Sequence, residues 1–94
     1  MAHLPNDIKL RAQVLRKDMS ALQSNYHPRS DQWEALEQEI WILEQGLAAI
    51  READPSKRRQ SVLINTSLED QFPDICNRLK SLFSAIDDVL SRQP

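Results

Sequence analysis

Apolar residues recur along this chain in three runs, each with steps that alternate between three and four. The first run is Ile8, Ala12, Leu15, Met19, Leu22 and Tyr26. The second is Trp33, Leu36, Ile40, Leu43, Leu47 and Ile50, and the third is Phe72, Ile75, Leu79, Leu82, Ile86 and Val89. That rhythm places each set on one face of an α-helix, since a strand would alternate with a period of two. Neighbouring apolar positions broaden every stripe: Leu10 and Val14 in the first, Trp41 and Ala48 in the second, Cys76, Phe83 and Leu90 in the third. A broad stripe fits a helix with more than one neighbour.

Punctuation between the runs sets the boundaries. Pro5 and Asn6 open the first helix, with Asp7 at the positive end of its dipole. His27 precedes Pro28, and a residue before proline avoids the helical region, so this helix ends near Ser24. Ser30 or Asp31 caps the second helix, and Glu34 stands in the capping-box position relative to Asp31. Asp54-Pro55 ends it. Pro73 suits the first turn of the third helix. The sequence therefore predicts helices over about 6–24, 31–53 and 73–91, with a linker over 54–71. Within the linker, Val62-Leu63-Ile64 reads as a short helical turn covering one end of the core, and Thr66 with Glu69 offers a second capping box. The short first connection brings helices one and two back antiparallel.

The expected class is all-α: a helical hairpin with a third helix packed on it, as a single domain over 1–94. A chain of 94 residues builds a thin core. Cys76 is the only cysteine, so no internal disulfide can staple it. His3 and His27 are the only histidines, too few for a four-ligand zinc site with one thiol. Self-association is the remaining remedy, so the alternatives are a three-helix bundle and a homodimer that shares helices.

Charge sharpens the picture. Residues 1–30 hold five basic and two acidic side chains, whereas residues 31–54 hold seven acidic and one basic. Lys57, Arg58 and Arg59 then make the linker basic. Basic helix one is expected beside acidic helix two. No apolar run reaches the roughly 20 residues of a membrane span. The N-terminus has no basic-then-apolar secretion pattern, and a lone thiol suits a reducing compartment. These readings point to a soluble, cytoplasmic protein with no membrane partner.

Candidate chemistry is sparse. Glu34, Glu37, Glu39 and Glu44 lack the Glu-x-x-His partners of a bundle metal site and read as a solvated acidic face. Met1-Ala2-His3 has the donors of a square-planar copper site but reads as a solvated tail. Cys76 reads as a buried, inert thiol. Arg58-Arg59-Gln60-Ser61-Val62 resembles a basic-directed serine kinase substrate, in which a phosphate would answer the local positive charge. Asn65-Thr66-Ser67 matches the glycosylation acceptor pattern, which has no use without secretion. Gly46 in mid-helix reads either as a close helix approach or as a tolerated surface glycine. Trp33 is expected in the core, and Trp41 either there or at a contact surface.

No catalytic residue, metal or cofactor is expected, so the chain is not read as an enzyme. The expected function is docking: an adaptor, chaperone or inhibitor that meets a partner protein with a basic surface through Trp41, Glu37, Glu44, Arg58 and Arg59, with self-association into a dimer. The alternative is a nucleic-acid-binding regulator that uses helix one and the basic 57–59 segment, against which the acidic second helix counts.

Overall fold

Ser30 settles the hairpin turn in a computed structural model that describes residues 3–93. Its hydroxyl donates to the His27 carbonyl (2.7 Å) and accepts from the Trp33 amide (3.2 Å), so Ser30, rather than Asp31, caps the second helix. Three helices result: α1 (Asn6–Gln23), α2 (Asp31–Arg51) and α3 (Pro73–Arg92). Each lies within two residues of its expected bounds. Among the described residues there is no strand. None of the three helices is long and apolar enough to cross a membrane. The copper reading of the N-terminus rests on Met1 and Ala2, which lie outside the described residues.

The end of α2 shows why it stops before Ala53. The Asp54 amide donates to the Ala49 carbonyl and the Ala53 amide to that of Ile50, a Schellman arrangement. Ala53 sits at the position that needs left-handed backbone, with φ of 52°. An alanine there strains against its own Cβ. Ala53→Gly is therefore expected to stabilise the fold by about 0.5–1 kcal/mol, the gain remaining after glycine's extra freedom when unfolded. A rise in the urea midpoint checks this, and a fall would contradict the left-handed cap.

The helices pack on one another as a three-helix bundle. Arg16 reaches Glu44 and the Gln23 side chain reaches the Trp33 carbonyl, so α1 and α2 run antiparallel. Gly46 lies against Phe83 and Ile86, and the Gln93 side chain donates to the Ile50 carbonyl. Higher numbers on α2 thus meet higher numbers on α3, and these two helices run parallel. Parallel neighbours require the chain to travel back the length of α2, roughly 31 Å at about 1.5 Å per residue.

That journey is the work of the 54–71 segment, which is a strap rather than a loose linker. It starts with a 3-10 turn at Pro55–Lys57, capped by Asp54, and ends with another at Glu69–Gln71. Along the way Arg58 bonds Asp87, Ser61 bonds Glu39, Lys80 pairs with Glu69, and Gln71 meets Gln32. The Val62-Leu63-Ile64 run is not helical, correcting the expected extra turn. It bends inward, and Leu63 is fully buried in the core. The expected Thr66–Glu69 capping box does not form: the 3-10 turn at Glu69–Gln71 has no side-chain cap, and Thr66 Oγ1 instead accepts from the Leu68 amide and Glu69 Oε2 from the Asn65 amide within the preceding turn.

The core joins Leu15, Met19, Leu36, Leu43, Ile50, Leu63, Leu79, Leu82 and Ile86, all essentially without solvent contact. Tyr26 closes one end with an edge-to-face contact to Phe72, ring centres 5.8 Å apart. Two expectations about the stripes change. Leu10 and Val14 do not widen the buried face of α1; they point outward, 53% and 55% exposed. On α2 the buried positions are Leu36, Glu39, Ile42, Leu43, Gly46, Ala49 and Ile50, whereas Trp33, Ile40 and Leu47 are only half-buried. The cause is position: α2 carries α1 on one side and α3 with the strap on the other, so its buried arc turns toward the second neighbour.

Gly46 accordingly marks a close helix approach, not a surface position. A methyl group there would lie 3.4 Å from Ile86 and 3.6 Å from Phe83, ordinary contact distances, so alanine has room and anything larger does not.

Candidate functional site

Helical spacing sets Glu37, Trp41 and Glu44 on one outward stripe of α2. All three are exposed, Trp41 by 48%. Trp41 is therefore a surface residue, not part of the core. The strap adds a fourth member, because the Arg59 guanidinium stands 5.2 Å from the centre of the Trp41 ring in cation–π geometry. The patch is thus an aromatic plate, two carboxylates and one cation.

Arg58, next in the chain, does not join it. Its guanidinium bonds both Asp87 oxygens, at 2.7 and 3.3 Å, and lies 4.3 Å over the Phe83 ring. Its side chain is only 23% exposed. Two adjacent side chains on extended backbone point to opposite sides, and here one side is the bundle and the other is Trp41. Arg58, expected among the partner-contact residues, is thus engaged with α3 and holds the strap against it. Glu44 is partly committed as well, paired with Arg16 at 2.7 Å. This is the expected contact between basic α1 and acidic α2. At an exposed site it stabilises the fold by only about 0.2–1 kcal/mol.

Glu39 overturns the reading of a uniformly solvated acidic face. It is fully buried, facing the strap. Its Oε1 accepts from the Ser61 hydroxyl and from the Leu63 amide (3.1 Å), and its Oε2 is buried without a hydrogen-bond partner. Ser61 Oγ in turn accepts from the Ile64 amide at 3.1 Å. Loss of water around the carboxylate pushes the Glu39 pKa up, and the bonds from Ser61 and the strap backbone oppose the rise. Sequence carried a signal for this burial: the series 36, 39, 43, 46, 50 keeps the helical rhythm one step to the side of the apolar stripe.

The same contact changes the meaning of Ser61. Its hydroxyl faces a buried carboxylate rather than the arginines that precede it. A phosphate there would set negative charge against Glu39 and so oppose this contact. Cys76 is a free, buried thiol whose pKa is raised, first by burial and then by the nearby Glu69 and Glu39 charges. Both causes disfavour the reactive thiolate. Among the described residues no group of three or more His, Cys, Asp or Glu side chains is placed to hold a metal ion.

The fold is thus a three-helix bundle with a strap along one side, and its most distinctive exposed chemistry is the Trp41 patch. No family model, no curated protein and no solved structure matches the chain.

Proposed function

We propose that this protein acts by docking on another protein, with the Glu37–Trp41–Glu44 stripe of α2 as its contact face. The observation that carries this reading is the placement of Trp41. A large aromatic side chain stands on the outside of a bundle whose apolar core is already closed, between two exposed carboxylates. Tryptophan supplies more contact area per residue than any other side chain and is enriched among residues that dominate interface energetics. The carboxylates steer toward a basic partner and speed encounter. The fitting partner has an apolar notch rimmed by lysine or arginine.

A nucleic-acid role draws less support. Lys57 pairs with Glu52, Arg58 with Asp87, and Arg16 with Glu44, so much of the positive charge that would meet phosphates is answered within the chain.

The test retains partners from the native source on the full-length protein and repeats the capture with Trp41→Ala and with the pair Glu37→Lys, Glu44→Lys. Binding of the purified partner is expected to weaken at least about tenfold for each, the scale of a hot-spot truncation. A partner held equally well by all three proteins would sink the assignment of this face.

A further inference from the structure

A second series runs along α1 on the face opposite the core: Asp7, Leu10, Val14, Lys17 and Ala21. The steps are three, four, three and four, the spacing of a coiled-coil seam. Every member is exposed, including Leu10 at 53% and Val14 at 55%. The seam borders a shallow groove of about 470 Å³ between α1 and α3, floored by Leu15 and Leu82. The cations at the groove rim are occupied: Arg11 donates to Ser81 at 2.8 Å, and Arg78 holds Asp18 at 2.8 Å. The seam charges are freer. Lys17 forms no ion pair among the described residues, and Asp7, 79% exposed, has only a 3.5 Å contact to Arg11.

We infer that this face binds a second copy of the chain, α1 against α1 in antiparallel register about a two-fold axis near residue 12. In that register Leu10 meets Val14 of the second copy, Val14 meets its Leu10, and Asp7 and Lys17 meet Lys17 and Asp7. Charge selects this partner and this direction: a parallel pairing would stack Asp7 on Asp7 and Lys17 on Lys17. A two-fold axis satisfies every layer twice with one surface, as an isologous dimer requires. The dimer uses none of the Trp41 patch, so α2 stays available in both copies.

Two apolar layers flanked by two ion pairs bury less than the standard interface of about 1,600 Å², so association is weak and is sought at up to about 1 mM protein. Sedimentation equilibrium on the full-length chain is the measurement, with circular dichroism confirming that each exposed-site variant keeps its helices. The wild type is expected to approach dimer mass as concentration rises. Asp7→Lys alone and Lys17→Asp alone should each weaken self-association at least about tenfold, because each puts like charges opposite one another. An equal mixture of the two variants should restore the dimer. One variant then brings a cation to both charged layers and the other brings a carboxylate to both, so each layer again holds opposite charges. A wild type that stays monomeric at about 1 mM overturns the inference. So does a wild type that associates while the mixed variants do not, because the copies then meet elsewhere. Neither result bears on the α2 docking face, which is tested separately.

Discussion

Leu63→Ala is expected to lower the stability of the fold by about 2–5 kcal/mol, the range for truncating a fully buried leucine. For a domain of this size each kcal/mol moves the melting temperature by roughly 4–8 °C, so thermal and urea unfolding read the effect directly. The total stability of such domains is only about 5–15 kcal/mol. One residue in a connecting segment therefore decides a large share of it. The reason is geometric. Leu63 has no solvent contact and belongs to the same cluster as Leu36, Leu79 and Ile86. It enters that cluster from the strap, with Glu39 accepting its amide hydrogen from below. Removing the side chain leaves a cavity that the helices cannot close without breaking their mutual packing. A loss below about 1 kcal/mol, the scale of a surface substitution, would show that the strap covers the core without forming part of it.

The second large effect is a dependence on pH centred on Glu39. Its pKa is raised above 4.5 in the folded protein because burial strips water from the charged form. Below the unfolded value the carboxyl is protonated in both states, and the folded protein bears no penalty. As pH rises, the unfolded chain ionises freely, while the folded one must keep the proton or bury a charge. The contribution of Glu39 to stability therefore falls as pH rises from about 4.5 through the raised folded value, then levels off. Each tenfold difference in proton affinity between the two states is worth about 1.4 kcal/mol. Glu39→Gln keeps an oxygen that accepts from Ser61 and Leu63 but cannot ionise. The variant is expected to melt progressively higher than the wild type as pH is taken from about 4 to about 8. Any constant offset reflects the amide nitrogen left in the place of Oε2, which has no partner. Parallel melting curves for the two proteins across that range would mean that the carboxylate is not desolvated.

These two predictions converge on one contact, where the middle of the strap crosses the middle of α2. Glu39 and Ser61 fix where the strap lies, and Leu63 then falls into the core. A buried acid is a poor source of net stability, because desolvation offsets most of what its hydrogen bonds return. Its value here is positional: it holds the strap by both a hydroxyl, that of Ser61, and an amide, that of Leu63. The basic segment follows from this crossing. With the strap held at residue 61, Arg58 reaches Asp87 and Arg59 reaches Trp41.

The three helices and their ends are legible in the chain alone, because helical periodicity, proline and capping residues act within a few positions of one another. So is the pairing of basic α1 with acidic α2, since the seven-residue break between them leaves little choice of neighbour. The remaining features are set by contacts between residues distant in the chain. The parallel course of α2 and α3 follows from where the strap ends, and no local rule encodes that. Leu10, Val14 and Trp41 are apolar in the same sense as Leu15 or Leu43, and the rhythm alone widens a stripe without saying which edge meets a neighbour. Glu39 looks like Glu37 and Glu44 in the sequence. Only the strap folding over α2 takes it out of water, while a turn of about 100° per residue leaves the other two outside.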